Sequence, residues 1–92
     1  MAGEPRHNAD KSRYELEVEG GLVLADYRRQ GDTLHIVHTE TPPALQGRGL
    51  AGQLVKFMLA DVRAEGLKIV PLCSYIIAYL ERHPEERDLV AA

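Results

Sequence analysis

The hydrophobic period of this chain first changes from strand-like to helical on a glycine-rich segment. From Arg13 to Glu19 apolar and polar residues alternate, and two further strand-like runs follow, whereas from Leu50 apolar residues recur every three or four positions. A period of two lines one face of a strand, and a period of 3.6 lines one face of a helix. Between them stands Thr41-Pro42-Pro43-Ala44-Leu45-Gln46-Gly47-Arg48-Gly49-Leu50-Ala51-Gly52. The fold must therefore pass from a sheet to a helix through this segment.

The alternating part divides at two turn signals. Tyr14, Leu16 and Val18 share one face, with Glu15, Glu17 and Glu19 on the other, and Gly20-Gly21 closes a hairpin. Leu22 to Arg29 reads as a second strand, Gln30-Gly31-Asp32 as a turn, and Thr33 to Glu40 as a third strand. On this last strand Leu34, Ile36 and His38 are expected on one face, His35 and Val37 on the other. Leu50, Leu54, Met58 and Val62, flanked by Ala51, Val55 and Leu59, then form one helical stripe. A helix from Gly49 to Glu65, about 25 Å long at 1.5 Å per residue, ends at Gly66.

Leu67 to Leu72 reads as a short buried strand, which a helical crossover makes parallel to the third. Ser74 is placed to cap a last helix running to Arg82, and His83-Pro84 stops it. The expected class is α+β: an antiparallel three-strand meander, a helix, a parallel strand and a C-terminal helix. Residues 1–11 show no period and read as a flexible leader to one domain over residues 12–92.

Composition narrows the partners. With 45% hydrophobic and 27% charged residues the chain suits an ordinary folded domain. A net charge of −3 argues against nucleic acid, and a single cysteine excludes an internal disulfide or a cysteine-based zinc cluster. No metal ligand set is expected. No stretch reaches the ~18 apolar residues of a membrane span, and no signal-peptide core opens the chain, so a cytoplasmic protein is expected.

The glycines stand at a helix start, where free N–H groups and the helix dipole favour anions. Gly47-Arg48-Gly49-Leu50-Ala51-Gly52 matches the dinucleotide pattern G-x-G-x-x-G, but in the wrong context. Pro42 to Leu45 separates it from the strand, and the next strand ends in Leu72-Cys73-Ser74, without the carboxylate that pattern needs about 20 residues on. No Lys-Ser/Thr follows for a P-loop. Successive N–H groups from Gly47 to Ala51 could instead cradle a pyrophosphate, with Arg48 adding charge or merely facing solvent. The glycines could also serve only a tight strand-to-helix turn.

Read as Gln46-Gly47-Arg48-Gly49-Leu50-Ala51, the segment fits Q/R-x-x-G-x-G/A and resembles the acetyl-CoA loop of the GNAT N-acetyltransferase superfamily. With His38–Ala51, Gly66–Cys73 and Ala78–Glu85, it resembles the small single-domain members of the YjdJ type, over nearly all of Arg13 to Val90. The resemblance implies a minimal GNAT-like fold in which the strands on either side of the helix splay and admit the coenzyme arm. Pro71, which cannot donate to a ladder, would sit where they part, opposite Val37 to Thr41. The implied acetyl-CoA contacts are Thr39, Thr41, Gln46, Gly47, Arg48, Gly49, Leu50, Ala51 and Cys73.

For catalysis the resemblance points to the strand end nearest the thioester. Glu40 and His38 are the base candidates, against a surface carboxylate and a packed histidine. Cys73, just before a helix N-terminus that lowers a thiol pKa, is either a nucleophile, part of the acetyl pocket or a small buried hydrophobe. Tyr79 matches the tyrosine that protonates the departing thiolate in many relatives, with Tyr75 one turn earlier as the substitute. Lys56, Arg63, Lys68, Arg82 and Arg87 are alternatives for the coenzyme 3′-phosphate. The two helices that wall off the acceptor in larger relatives have no counterpart, which implies an open acceptor side or one completed by an identical or different subunit. The expected function is acetyl transfer from acetyl-CoA to an unspecified amine, directly or through Cys73. The alternatives are a coenzyme A binding module with little turnover and an acyl-cysteine carrier.

Overall fold

A computed structural model describes residues 3–91. Its five strands are β1 (Arg6–Asn8), β2 (Arg13–Val18), β3 (Gly21–Gln30), β4 (Thr33–Glu40) and β5 (Lys68–Pro71). They lie side by side in chain order, antiparallel except for the parallel β4–β5 pair. Helix α1 (Leu50–Ala64) crosses between β4 and β5, and α2 (Ser74–Arg82) follows β5.

One apolar layer joins sheet and helices. Tyr14 and Leu16 from β2, Val23, Ala25 and Tyr27 from β3, and Leu34 and Ile36 from β4 meet Leu54, Val55, Met58, Leu59 and Val62 of α1 and Ile76, Tyr79 and Leu80 of α2. Both helices thus cover the same face. The five α1 residues are almost completely buried, as the helical stripe requires.

Within the expected leader the structure adds a strand. Arg6–Asn8 pair antiparallel with Arg13–Glu15 and add a strand at the sheet edge, while residues 1 and 2, like residue 92, lie outside the described residues. Three residues are too few for a period-two pattern to be visible. Their effect is large: Glu15, expected on a half-solvated face, is 2% exposed beneath Arg6 and Arg13.

A β-bulge corrects the face assignment on β4. Asp26 pairs with His38 and the next residue, Tyr27, pairs with Ile36, so Val37 is left over on β4. The extra residue reverses the alternation beyond it. Thr39, opposite Ala25, therefore shares the helix-covered face with Ile36. His38, opposite Asp26, and Glu40, opposite Leu24, turn to the other face.

Two further details differ from the sequence reading. Position Cys73, in extended conformation, caps α2, and Ser74 is its first helical residue, with no side-chain cap bond. After His83 the chain continues as a 3₁₀ segment over Pro84–Leu89, and Val90 then bridges Ile69 on the outer edge of β5. Arg63 of α1 holds that segment through Asp88 and Glu86, at 2.7 and 3.0 Å.

Candidate functional site

The chain leaves β4 at Glu40 and makes a short 3₁₀ turn over Pro43–Leu45 before α1. Leu45 is buried, and Gln46 Nε2 donates to the Thr41 carbonyl at 3.2 Å, which pins the loop across its own base. The β2–β3 hairpin supports it from below. A Cβ added to Gly21 would lie 2.7 Å from Pro42 Cγ.

Gly47 (φ 82°) and Gly49 (φ 75°) both adopt the left-handed conformation that other residues rarely take. Gly49 is the cap position of α1, and no side chain caps that end. The first N–H groups of a helix have no carbonyl partner within it. At α1 no side chain takes them up, and Gly49, Leu50 and Ala51 border the space above the loop, where an anion gains from both the N–H groups and the helix dipole.

That space is a cleft of about 340 Å³, lined by Thr39, Thr41, Gln46, Gly47, Gly49, Leu50, Ala51, Leu45 and Tyr75. Seven of these are residues singled out from the sequence. Tyr75 was only the substitute there, and Leu45 was missed, although an isolated apolar residue in a Pro-Pro-Ala-Leu turn is itself a packing signal. A second hollow of about 560 Å³, bounded by Thr39, Glu40 and Pro42, adjoins it along the loop.

The β4–β5 ladder ends beside the cleft. Its last rung is Ile36–Pro71, followed by one bond from Leu72 N–H to the Ile36 carbonyl at 3.0 Å. β4 runs on to Glu40, whereas β5 has stopped. The strands part where Pro71 was expected to tolerate it. Cys73 stands in the opening, its Sγ 3.5 Å from Thr39 Oγ1. Burial opposes ionisation of this thiol, but the Thr39 hydroxyl and the backbone N–H groups of Tyr75, Ile76 and Thr39 outweigh it and hold its pKa below the ordinary value.

Other sequence candidates fall elsewhere. Arg48 lines a separate depression with Val18, Gly20 and Ala44 on the far side of the loop. Tyr79 is buried in the core with its ring stacked on His83 at 4.1 Å, and burial raises its hydroxyl pKa. His38 and Glu40 are well exposed, 3.8 Å apart, on the uncovered side of the sheet. Among the described residues no group of three or more His, Cys, Asp or Glu side chains is placed to hold a metal. No helix of the described residues is long and apolar enough to cross a membrane.

The β4–β5 pair thus parts beside an uncapped, glycine-led helix start. Residues 13–89 match the model of the GCN5-related N-acetyl-transferase family, and the chain belongs to that family. Among similar proteins, Protein NATD1 of Mus musculus is 45% identical over 82 residues, covering 85% of this chain and 74% of its own. Protein NATD1 of Xenopus tropicalis is 30% identical with the same coverage. The NMR solution structure of a GCN5-like protein from Staphylococcus aureus superposes with a TM-score of 0.74 at 23% identity, covering 97% of this chain and 88% of that one. That likeness gives the fold.

Proposed function

We propose that this chain, a small GNAT protein of the YjdJ type, binds acetyl-CoA and transfers its acetyl group to an amine. The observation that carries the reading is the uncapped α1 start, with Gly47 and Gly49 left-handed, facing a cleft beside the end of the β4–β5 ladder. The residues fit the donor in chemical kind. N–H groups from Gly47 to Ala51 suit a pyrophosphate. The edge of β4 beyond Ile36, no longer paired to β5, suits the amides of an extended arm.

In direct transfer the acceptor nitrogen bonds to the acetyl carbon, the carbon–sulfur bond breaks, and the thiolate takes a proton. The N–H groups at the β4 end would stabilise the carbonyl oxygen as charge builds on it. Tyr75, which lines the cleft, is better placed than Tyr79 to deliver that proton. An amine of pKa about 10.4 is mostly protonated at neutral pH. Glu40 is exposed to solvent and would draw off its proton through water, with His38 beside it. Cys73 either bounds the acetyl group or accepts it first and passes it on. A cytoplasmic location, and an acceptor side left open or closed by another subunit, belong to the same proposal.

Calorimetric titration tests the donor: saturable binding of acetyl-CoA, with none of NAD, is expected. Release of coenzyme A thiol in a panel of free amines, polyamines and peptides tests transfer. Binding without thiol release across the panel would leave a coenzyme A binding module. Intact mass separates the routes: no gain of one acetyl group, with full activity in Cys73→Ala, would remove the covalent route.

A further inference from the structure

The sheet face opposite the helices carries a charge arrangement that the donor cleft does not use. Strand register places Arg6, Glu15, Leu24 and Glu40 side by side in one row, and Asn8, Arg13, Asp26 and His38 in the next. Both rows run from the β1 edge to the end of β4, where the ladder opens. At the β1 end lies a hollow of about 520 Å³ bounded by Arg6, Lys11, Arg13 and Glu15.

Glu15 builds this hollow. Its carboxylate, 2% exposed, accepts from Arg6 Nε at 2.9 Å, Arg13 Nε at 2.5 Å and Asn8 Nδ2 at 3.3 Å. Arg6 Nη2 adds a contact at 2.8 Å. A guanidinium has five N–H donors, so these bonds orient both arginines while using only part of each. Three cations, Arg6, Lys11 and Arg13, face two carboxylates, Glu15 and Glu17, around the hollow. The balance is one positive charge on an otherwise acidic protein. The opposite end of the rows bears Glu40.

We infer that this hollow binds the carboxylate of the acceptor, and that the acceptor is an ω-amino acid lying along the rows with its amine at Glu40 and His38. The inference rests on the acetyl-transfer reading. Neighbouring strands are about 4.8 Å apart, which puts Glu15 and Glu40 roughly 10 Å apart across two intervals. Side chains reaching inward from both ends leave a span that a five- or six-carbon chain fills. The α-amine of an ordinary amino acid lies too close to its own carboxylate to bridge it.

The test uses the isotope-labelled protein, with arginine Nε–H signals observed during titration with 6-aminohexanoate and, separately, hexylamine. The carboxylated amine is expected to shift the Arg6 and Arg13 signals, and hexylamine to leave them in place. In turnover, kcat/KM should favour 6-aminohexanoate by roughly tenfold, the scale of one charge-assisted contact. Arg6→Gln should bring the ratio towards one, while Arg28→Gln, at the other end of β3, keeps it. Because the titration needs no variant, a misfolded mutant does not blunt the test. Acetyl-CoA shifts at the Gly47–Ala51 amides report on the donor reading alone. Absence of any carboxylate-dependent shift or preference overturns the inference, whether or not acetyl-CoA binds.

Discussion

Two glycines three residues apart, Gly49 and Gly52, should respond to alanine in opposite directions. Gly49 has φ 75° and ψ 13°, and a Cβ there would meet no protein atom within 4 Å. The cost of Gly49→Ala is therefore purely backbone, about 1–2 kcal/mol for a left-handed L-residue. Gly52 lies within α1, and its added Cβ would rest 3.7 Å from the Tyr75 hydroxyl, an ordinary contact. Gly52→Ala should stabilise by about 0.5–1 kcal/mol through the helix propensity gained. The difference is about 1.5–3 kcal/mol, and each kcal/mol moves the Tm of a domain this size by roughly 4–8 °C. Thermal unfolding by circular dichroism should place Gly52→Ala above the wild type and Gly49→Ala below it, at least 6 °C apart by the same conversion. Gly49→Asn should recover part of the loss, since asparagine tolerates this conformation. Equal destabilisation by both alanines would refute the reasoning. It would mean that Gly52 is needed for close approach, as the dinucleotide pattern would have it.

Three further outcomes follow from the geometry. Glu15 is buried, which opposes its ionisation, but Arg13, Asn8 and Arg6 hold its pKa below the usual glutamate value. Its contribution is whole above about pH 4.3 and drains away as pH falls through the lower folded value. Glu15→Gln should cost about 1–3 kcal/mol at pH 7 and flatten the acid limb of a urea-unfolding series, and an unchanged limb would contradict this. Thr39→Val removes a hydroxyl that favours the Cys73 thiolate, so the pH midpoint of iodoacetamide alkylation should rise from a value below the ordinary thiol range. Tyr14→Phe removes the 2.5 Å bond to Asp61 Oδ2. A stability loss of about 1–2 kcal/mol is expected, and no change in chemical denaturation would mean that water replaces the hydroxyl.

Elements defined by periodicity were legible in the sequence. The three-strand meander, α1 within a residue at each end and α2 within a residue at its start all follow from apolar spacing and turn residues. So did the loop, because left-handed glycines and a helix start are local chemistry. What escaped was set by pairing. Arg6–Asn8 is a strand only because Arg13–Glu15 offers an edge. The surplus residue at Val37 is invisible to a period-two count, because it exists only relative to the Asp26–Tyr27 step on the neighbouring strand. That slip moved His38 off the face first given to it. Tyr79 and Tyr75 are one turn apart, and only the docking of α2 separates the residue in the core from the one at the cleft.

The bulge at Val37 has a mechanical consequence. Thr39 faces the cleft and touches Cys73, while its neighbours His38 and Glu40 face the open side. Planar peptide units join them directly, so a ligand-driven shift of the Thr39 backbone has a short path to His38 and Glu40. If that shift changes how either face binds its ligand, the two occupancies are linked, and the linkage is reciprocal. On the proposed reading, a compound that binds only the open face and shifts His38 or Glu40 would alter acetyl-CoA affinity without entering the cleft. The single residue inserted in β4 thus decides which side chains serve the cleft and which serve the open face.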